Sequence, residues 1–316
     1  MDLKDLVALR NSLAALTVTD IQQASQNRIQ KITYELDRSQ VELDCMLLNQ
    51  AQQALNNSFD QFEKELSNLK LNIDQAIKIK EVDWFKQSFE FYKNALANND
   101  AHRPETVLAL RNQPVRLAKE TEVLLRSRLV RFSNWRYPGM IIHPMHETFI
   151  QDLVSNDPLY LVDESRLLLE PVISQYTDLY QRRLRIYTID ESTDQPILAS
   201  LPDQQFGICF AYNYFNFRPI EIVKQYLTEI YQKLAPGGTL IMTFNNCDRV
   251  AGLKLVEQNY SCYTPGRLIF QCVEDIGYDT IFQSDIDAAA TWIELQRPGK
   301  LTSVRGGQAL AKIVPN

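Results

Sequence analysis

Glycine is scarce in this chain, and its scarcity is uneven. There are ten glycines in 316 residues, none of them before Gly139, and no proline stands before Pro104. These are the two residues that most readily end a helix, so so long a stretch without either excludes a turn-rich β domain and leaves helix. Paired cysteines are lacking too. Cys45, Cys209, Cys247, Cys262 and Cys272 form no CxxC and have no histidine at zinc-ligand spacing. The odd count excludes a fully paired disulfide framework and implies buried thiols in a reducing compartment. No apolar run approaches the ~20 residues that span a bilayer. The opening residues MDLKDLVALRNSL mix acids with apolar residues, unlike a signal peptide. The expectation is a soluble protein of intracellular origin, cytoplasmic or within a viral particle. An excess of positive charge is also absent: Lys and Arg number 33 against 39 Asp and Glu, a net charge of −6. That balance argues against general nucleic-acid binding.

What is present divides in two. Asp2 to Thr17 reads as a short amphipathic helix, and Thr17, Thr19 and Asp20 offer caps for the next one. Ile29, Ile32, Leu36, Ser39, Leu43 and Met46 then alternate spacings of three and four. Phe59, Phe62, Leu66, Leu69, Ile73 and Ala76 follow the same rule, one residue out of phase. A 3.5-residue period is the mark of a coiled-coil seam. Between the blocks, Asn56-Asn57-Ser58 either carries the helix through a phase slip or reverses it into a hairpin. A further helix is expected over Val82 to Ala97, and another from Pro104 to Phe132, bent or restarted at Pro114. The basic stretch Leu125 to Phe132 reads as a solvated face or a seat for acidic neighbours.

After Tyr137-Pro138 the pattern changes. Short apolar runs at Gly139–His143, Leu159–Asp163, Leu184–Ile189, Phe206–Tyr212 and Thr239–Phe244 alternate with amphipathic segments, which predicts a parallel doubly wound sheet. Thr280–Asp285 and Thr291–Gln296 read as a closing antiparallel pair. The predicted fold class is therefore an all-α, coiled-coil-like N-terminal region followed by an α/β doubly wound domain. The predicted boundaries are 1–132 for a helical arm, 133–297 for the α/β domain and 298–316 for an extension.

One stretch is more distinctive, Lys233 to Asn246, KLAPGGTLIMTFNN. Proline stops the helix, two glycines permit positive φ, and a bare apolar run leaves as a buried strand. Together with the element order, this resembles the class I S-adenosylmethionine-dependent methyltransferases over about Tyr137 to Arg297. The resemblance implies a glycine-rich cofactor loop after the first strand, where this chain has His143-Pro144-Met145-His146-Glu147-Thr148. It implies an acid for the ribose at the end of strand two, where Asp163 stands. Asp190 follows strand three, where some members carry an adenine-contacting acid. Asn213 and Tyr214 follow strand four, on the family's substrate side. The cofactor-binding residues implied are thus Asp163, His143, His146, Glu147, Asp190, Asn213 and Tyr214.

Each of these has a plainer alternative. Asp163 serves equally as a helix cap. Asp190, among Glu191, Ser192, Thr193 and Asp194, reads as loop. The aromatic run Tyr212 to Phe217 packs a core or an interface. His143 and His146 form HxxH with no third ligand, so no metal is expected. A cofactor loop without glycine predicts that no cofactor binds. The reading drawn from the sequence is an assembly protein, a component of a large particle such as a virion, with other subunits bound through the arm. The alternative is an active methyltransferase using S-adenosylmethionine.

Overall fold

The computed structural model describes residues 2–14, 42–98, 117–144, 147–193 and 195–301, together with 23, 26–28, 30 and 31. The chain divides into two compact units, Met1–Asp83 and Trp84–Asn316.

In the first unit, helix α1 (Leu3–Ala14) buries Leu3, Leu6, Val7 and Leu13. A second helix, α2 (Glu42–Asn98), begins in this unit and ends in the other. It passes through Asn56-Asn57-Ser58 unbroken, so the phase slip is accommodated and no hairpin forms there. The Ser58 hydroxyl donates back to the carbonyl of Ala54 at 2.8 Å. No separate helix begins at Val82, since α2 runs through it. Of the second apolar block, Leu66 and Ile73 are buried while Phe62 and Leu69 are 49% and 45% exposed. The expected seam is therefore not one evenly covered stripe along α2. Of the first block, Ile29, Ile32, Leu36 and Ser39 and the side chains of Leu43 and Met46 lie outside the described residues.

The second unit is built on seven strands: β1 (Gly139–Ile142), β2 (Leu159–Asp163), β3 (Leu184–Thr188), β4 (Phe206–Ala211), β5 (Leu234–Asn245), β6 (Asp279–Asp285) and β7 (Ala290–Gln296). Their spatial order is β3-β2-β1-β4-β5-β7-β6, with the first five parallel and β7 antiparallel to both neighbours. Strand β4, FGICFA, is buried at every position, as a central parallel strand must be. Helices cover both faces. On one, Met140, Ile142 and Val162 meet Val223, Tyr226, Leu227 and Ile230 of α7 (Ile220–Lys233) and Ile269 and Val273 of α9 (Gly266–Ile276). The opposite face joins Ile141, Leu159, Leu161 and Trp292 to Leu125 and Leu129 of α3 (Lys119–Phe132), Phe149 and Ile150 of α4 (Glu147–Asp152), and Leu169 of α5 (Arg166–Ile173).

Helix α3, on the arm's side of the expected boundary at 132, packs on the sheet. Leu125 and Leu129 are fully buried on the sheet, and Arg128 forms a salt bridge with Glu294 of β7. Arg126 pairs with Asp152 of α4 at 3.0 Å. Two of the basic residues in this stretch thus sit against acids, as the sequence suggested. The predicted helix over Arg166 to Arg182 is instead two, α5 and the short α6 (Asp178–Gln181). Helix α8 (Val250–Glu257) had no counterpart in the sequence reading.

The Pro236-Gly237-Gly238 turn lies inside β5 rather than before it. Phe206 pairs with Leu234 and Ile208 with Thr239, so β5 carries extra residues that loop out of the ladder. Gly237 takes φ +83, and a Cβ there would stand 2.6 Å from the backbone nitrogen of Leu301. The looped-out segment is therefore covered by the chain that follows β7: Gly237 N–H donates to the Arg297 carbonyl and Arg297 N–H to the Gly238 carbonyl, each at 2.9 Å.

Candidate functional site

Parallel strands leave their carboxyl ends on one edge of the sheet, and loops from β1, β2, β3 and β4 converge there. His143 follows β1, Asp163 ends β2, Glu191 follows β3, and Tyr214 follows β4 in a 3₁₀ turn (Tyr214–Phe217).

His143 extends the ladder by one bond, its N–H donating to the Val162 carbonyl at 2.8 Å. It then turns with φ 57, in the left-handed region that glycine prefers. This brings the ring nitrogen Nδ1 2.8 Å from Oδ2 of Asp163. The other oxygen, Oδ1, accepts the N–H of Ser165 at 3.2 Å. Asp163 therefore braces the turn before α5, but the cap position of that helix is Ser165, so Asp163 is not itself the helix cap. Its side chain is only 3% exposed, against 25% for His143, and the imidazole is the side chain bonded to Oδ2.

Beside this pair lies a larger buried network around Glu191. Its Oε2 accepts the hydroxyl of Tyr92, from the end of α2 that belongs to this unit, at 2.8 Å. Its Oε1 accepts Tyr214 at 2.7 Å, Arg218 Nε at 3.1 Å, and the hydroxyl of Tyr226. Arg218 also forms a salt bridge with Glu164, and its guanidinium lies 3.7 Å from the centre of the Tyr214 ring. The Tyr214 ring in turn meets His143, centres 5.5 Å apart. Burial raises the Glu191 carboxyl above its ordinary range, opposed by its tyrosine hydrogen bonds and reinforced by the Asp163 charge. Burial likewise raises Tyr214 and Tyr226 and lowers Arg218. The cluster is a satisfied set of opposed charges, not a free acid or base.

Of the residues expected at the site, the fold brings His143, Asp163 and Tyr214 together. Asn213 is folded back, its N–H donating to Thr243 Oγ1 at 2.7 Å and its side-chain oxygen accepting from that hydroxyl at 3.0 Å. Its φ of 54 sets the turn into the 3₁₀ segment. Asp190 is an exposed turn residue whose carboxyl is lowered below the usual range by the Ser192 hydroxyl, which donates to it at 2.5 Å, and by the Ser192 N–H at 2.9 Å. His146 and the side chain of Glu147 lie outside the described residues. Tyr92, Glu164, Glu191, Arg218 and Tyr226 were missed. No spacing links them, because each is delivered by a different loop or helix. Among the described residues no group of three or more His, Cys, Asp or Glu could hold a metal.

No family model matches the chain. No curated relative matches it by sequence. Among solved structures it is similar to an O-methyltransferase family protein from Burkholderia thailandensis, at 15% identity and TM-score 0.50, over 64% of this chain and 62% of that one. It is also similar to an S-adenosylmethionine-dependent methyltransferase from Aquifex aeolicus, at 13% identity and TM-score 0.42, over 62% of this chain and 98% of that one. A third is magnesium protoporphyrin IX methyltransferase from Synechocystis PCC 6803, at 12% identity and TM-score 0.43, over 56% and 78%. This chain spans less than two thirds of the Burkholderia protein's length. At these identities the likeness is one of fold: the second unit has the class I methyltransferase fold, strand order included.

Does the site suit the cofactor that this fold implies? A carboxylate at the end of β2 is the kind of acceptor that a ribose diol needs, and Asp163 supplies it. The fit is in kind and position; the side chain of His143 is what stands on the acceptor oxygen.

Proposed function

We propose that the second unit is an S-adenosylmethionine-dependent methyltransferase whose nucleoside seat is covered by His143. The observation that carries this reading is the place of Asp163. In a sheet ordered β3-β2-β1-β4-β5-β7-β6, it ends β2 beside the turn that follows β1. When bound, the cofactor supplies a methyl group on a sulfonium centre, an electrophile ready for an oriented nucleophile. The chain's own part is binding and orientation. Asp163 accepts the ribose hydroxyls once Oδ2 is uncovered, and the N–H of Ser165 holds the carboxylate in place meanwhile. The Glu191–Arg218–tyrosine network forms a wall beside it, with one guanidinium shared between the carboxylates of Glu164 and Glu191. Isothermal titration with S-adenosylmethionine and S-adenosylhomocysteine tests the reading. A micromolar dissociation constant, about −8 kcal/mol, supports it. A flat trace for both ligands, with the protein folded, counts against it.

A second reading has its own support: a non-catalytic methyltransferase-fold module that works through contacts of the helical arm with other copies of the chain. The His143–Thr148 turn has no glycine, and in the first unit Leu71 and Ile79 of α2 are 57% and 74% exposed. Apolar side chains grouped on one helix are a usual mark of a contact surface. Under this reading the titration is flat, while light scattering shows an oligomer that Leu71→Asp with Ile79→Asp dissociates. A monomeric wild type overturns it.

A further inference from the structure

We infer that His143 is the plug of the nucleoside seat: its imidazole sets the affinity of the site by holding Asp163 Oδ2. The inference rests on the reading of the site as a nucleoside seat and adds the residue that controls it. Three features single out His143 among the groups at the strand ends. A side chain in the left-handed region costs about 1–2 kcal/mol relative to glycine, so a histidine held at φ 57 needs a compensating contact. The contacts present are the 2.8 Å bond to Asp163 and the packing against the Tyr214 ring. The backbone of His143 is fixed by its bond to the Val162 carbonyl, so the ring leaves Asp163 by side-chain rotation alone. The imbalance of exposure is the third feature. Asp163 is nearly closed off while His143 is the better-exposed member of the pair, and His143→Gly frees Oδ2 of its bond without removing the other hydrogen bonds that hold Asp163. That support is the Ser165 N–H on Oδ1 and the Ile189 N–H on the Asp163 carbonyl at 3.0 Å. Arg218 is a poorer candidate for the plug, because its removal leaves Glu164 and Glu191 without their cation.

The test compares wild type, His143→Gly and His143→Asn by titration calorimetry with S-adenosylhomocysteine, each variant checked by circular dichroism and thermal melting. Glycine suits the backbone and removes both ring and hydrogen bond. Asparagine also tolerates the left-handed region and keeps an amide where Nδ1 stood, but lacks the ring. A hydrogen bond to a charged group that must break before the ligand enters corresponds to about a tenfold penalty or more. The expected result is a dissociation constant at least about tenfold lower for His143→Gly, with His143→Asn falling between it and wild type. Equal micromolar binding by wild type and His143→Gly overturns the plug and leaves the methyltransferase reading standing. Absence of binding by both folded proteins overturns the plug and that reading together. If His143→Gly does not fold, His143→Asn decides: binding no tighter than wild type overturns the plug.

Discussion

The hydroxyl of Tyr92 donates to Oε2 of Glu191 at 2.8 Å, across 99 positions of sequence. This bond ties the last turns of α2 to the loop after β3. Next to it, Tyr263 N–H donates to Ser88 Oγ at 2.7 Å, and the ring of Phe85 meets that of Tyr263 at 5.1 Å. The end of the long helix is thus part of the second unit's core, with a polar anchor at Tyr92. Replacing Tyr92 with Phe keeps the ring and removes one bond to a buried carboxylate. The expected loss is about 1.5–3 kcal/mol in urea unfolding. A loss below the error of the measurement would show that Glu191 does not need this donor.

The raised Glu191 carboxyl predicts a pH dependence. In the unfolded chain it titrates near its ordinary value of 4.5, and in the folded protein higher, because it is buried. The folded state therefore binds the proton more tightly. The stability from this group is present below about 4.5 and declines as pH rises through the folded value. The groups facing it are Tyr92 from α2, Tyr214 and Arg218 after β4, Tyr226 from α7 and Asp163 from β2. Glu191→Gln removes this titration. Wild type should lose stability relative to Glu191→Gln as pH is raised from 4.5, read as diverging melting temperatures. Parallel profiles across that range would contradict the raised value.

Arg128 and Glu294 make the strongest case for a structural ion pair. Glu294 lies in the middle of β7 with its side chain fully buried, and Arg128 Nε reaches its Oε1 at 2.8 Å. The carboxylate raises the guanidinium further above its ordinary range. Arg128 is also stacked near Phe282, 4.9 Å from the ring centre. Arg128→Met leaves a buried charge without its partner and should cost about 3–5 kcal/mol. Pairing Arg128→Met with Glu294→Gln should recover part of that loss; no recovery would mean that packing, not charge, dominates.

At Gly237 the constraint is backbone. Gly237→Ala places a Cβ both in the left-handed region and against Leu301, and should destabilise by more than about 1–2 kcal/mol. Pro236→Ala, one residue earlier, serves as a comparison with no positive φ to satisfy. Equal melting temperatures for Gly237→Ala and wild type would show that the looped-out segment of β5 relaxes freely.

Much of the fold was legible because the signals are local. The five parallel strands fall where apolar runs stand between breakers, and β2 was bounded at Leu159 and Asp163 by Pro158 and the polar Glu164-Ser165 that follows. Gly237 was recognisable as a turn residue, although it loops out of a continuing strand. A boundary at 132 was the natural reading because α3 has the same amphipathic pattern as the arm, and nothing local says which surface buries Leu125 and Leu129. In α2, periodicity was visible over the Phe59 block, but burial did not follow it at Phe62 and Leu69.

The sequence by itself determined the helical character of the N-terminal region, the alternation of strands and helices after Gly139, and the acid that ends β2. Each depends on residues within one or two turns of chain, where propensity and period act directly. Only the tertiary structure decided what Asp163 meets. A chain without glycine after β1 shows that side chains stand in the turn, but not which way they point. The turn at φ 57 aims the imidazole of His143 at Oδ2, and the pairing of β1 with β2 sets the distance. The Glu191 network was beyond reach for the same reason. Its members come from α2, β2, the loop after β3, the turn after β4 and α7, and opposed charges far apart in sequence pair only when packing removes water from between them.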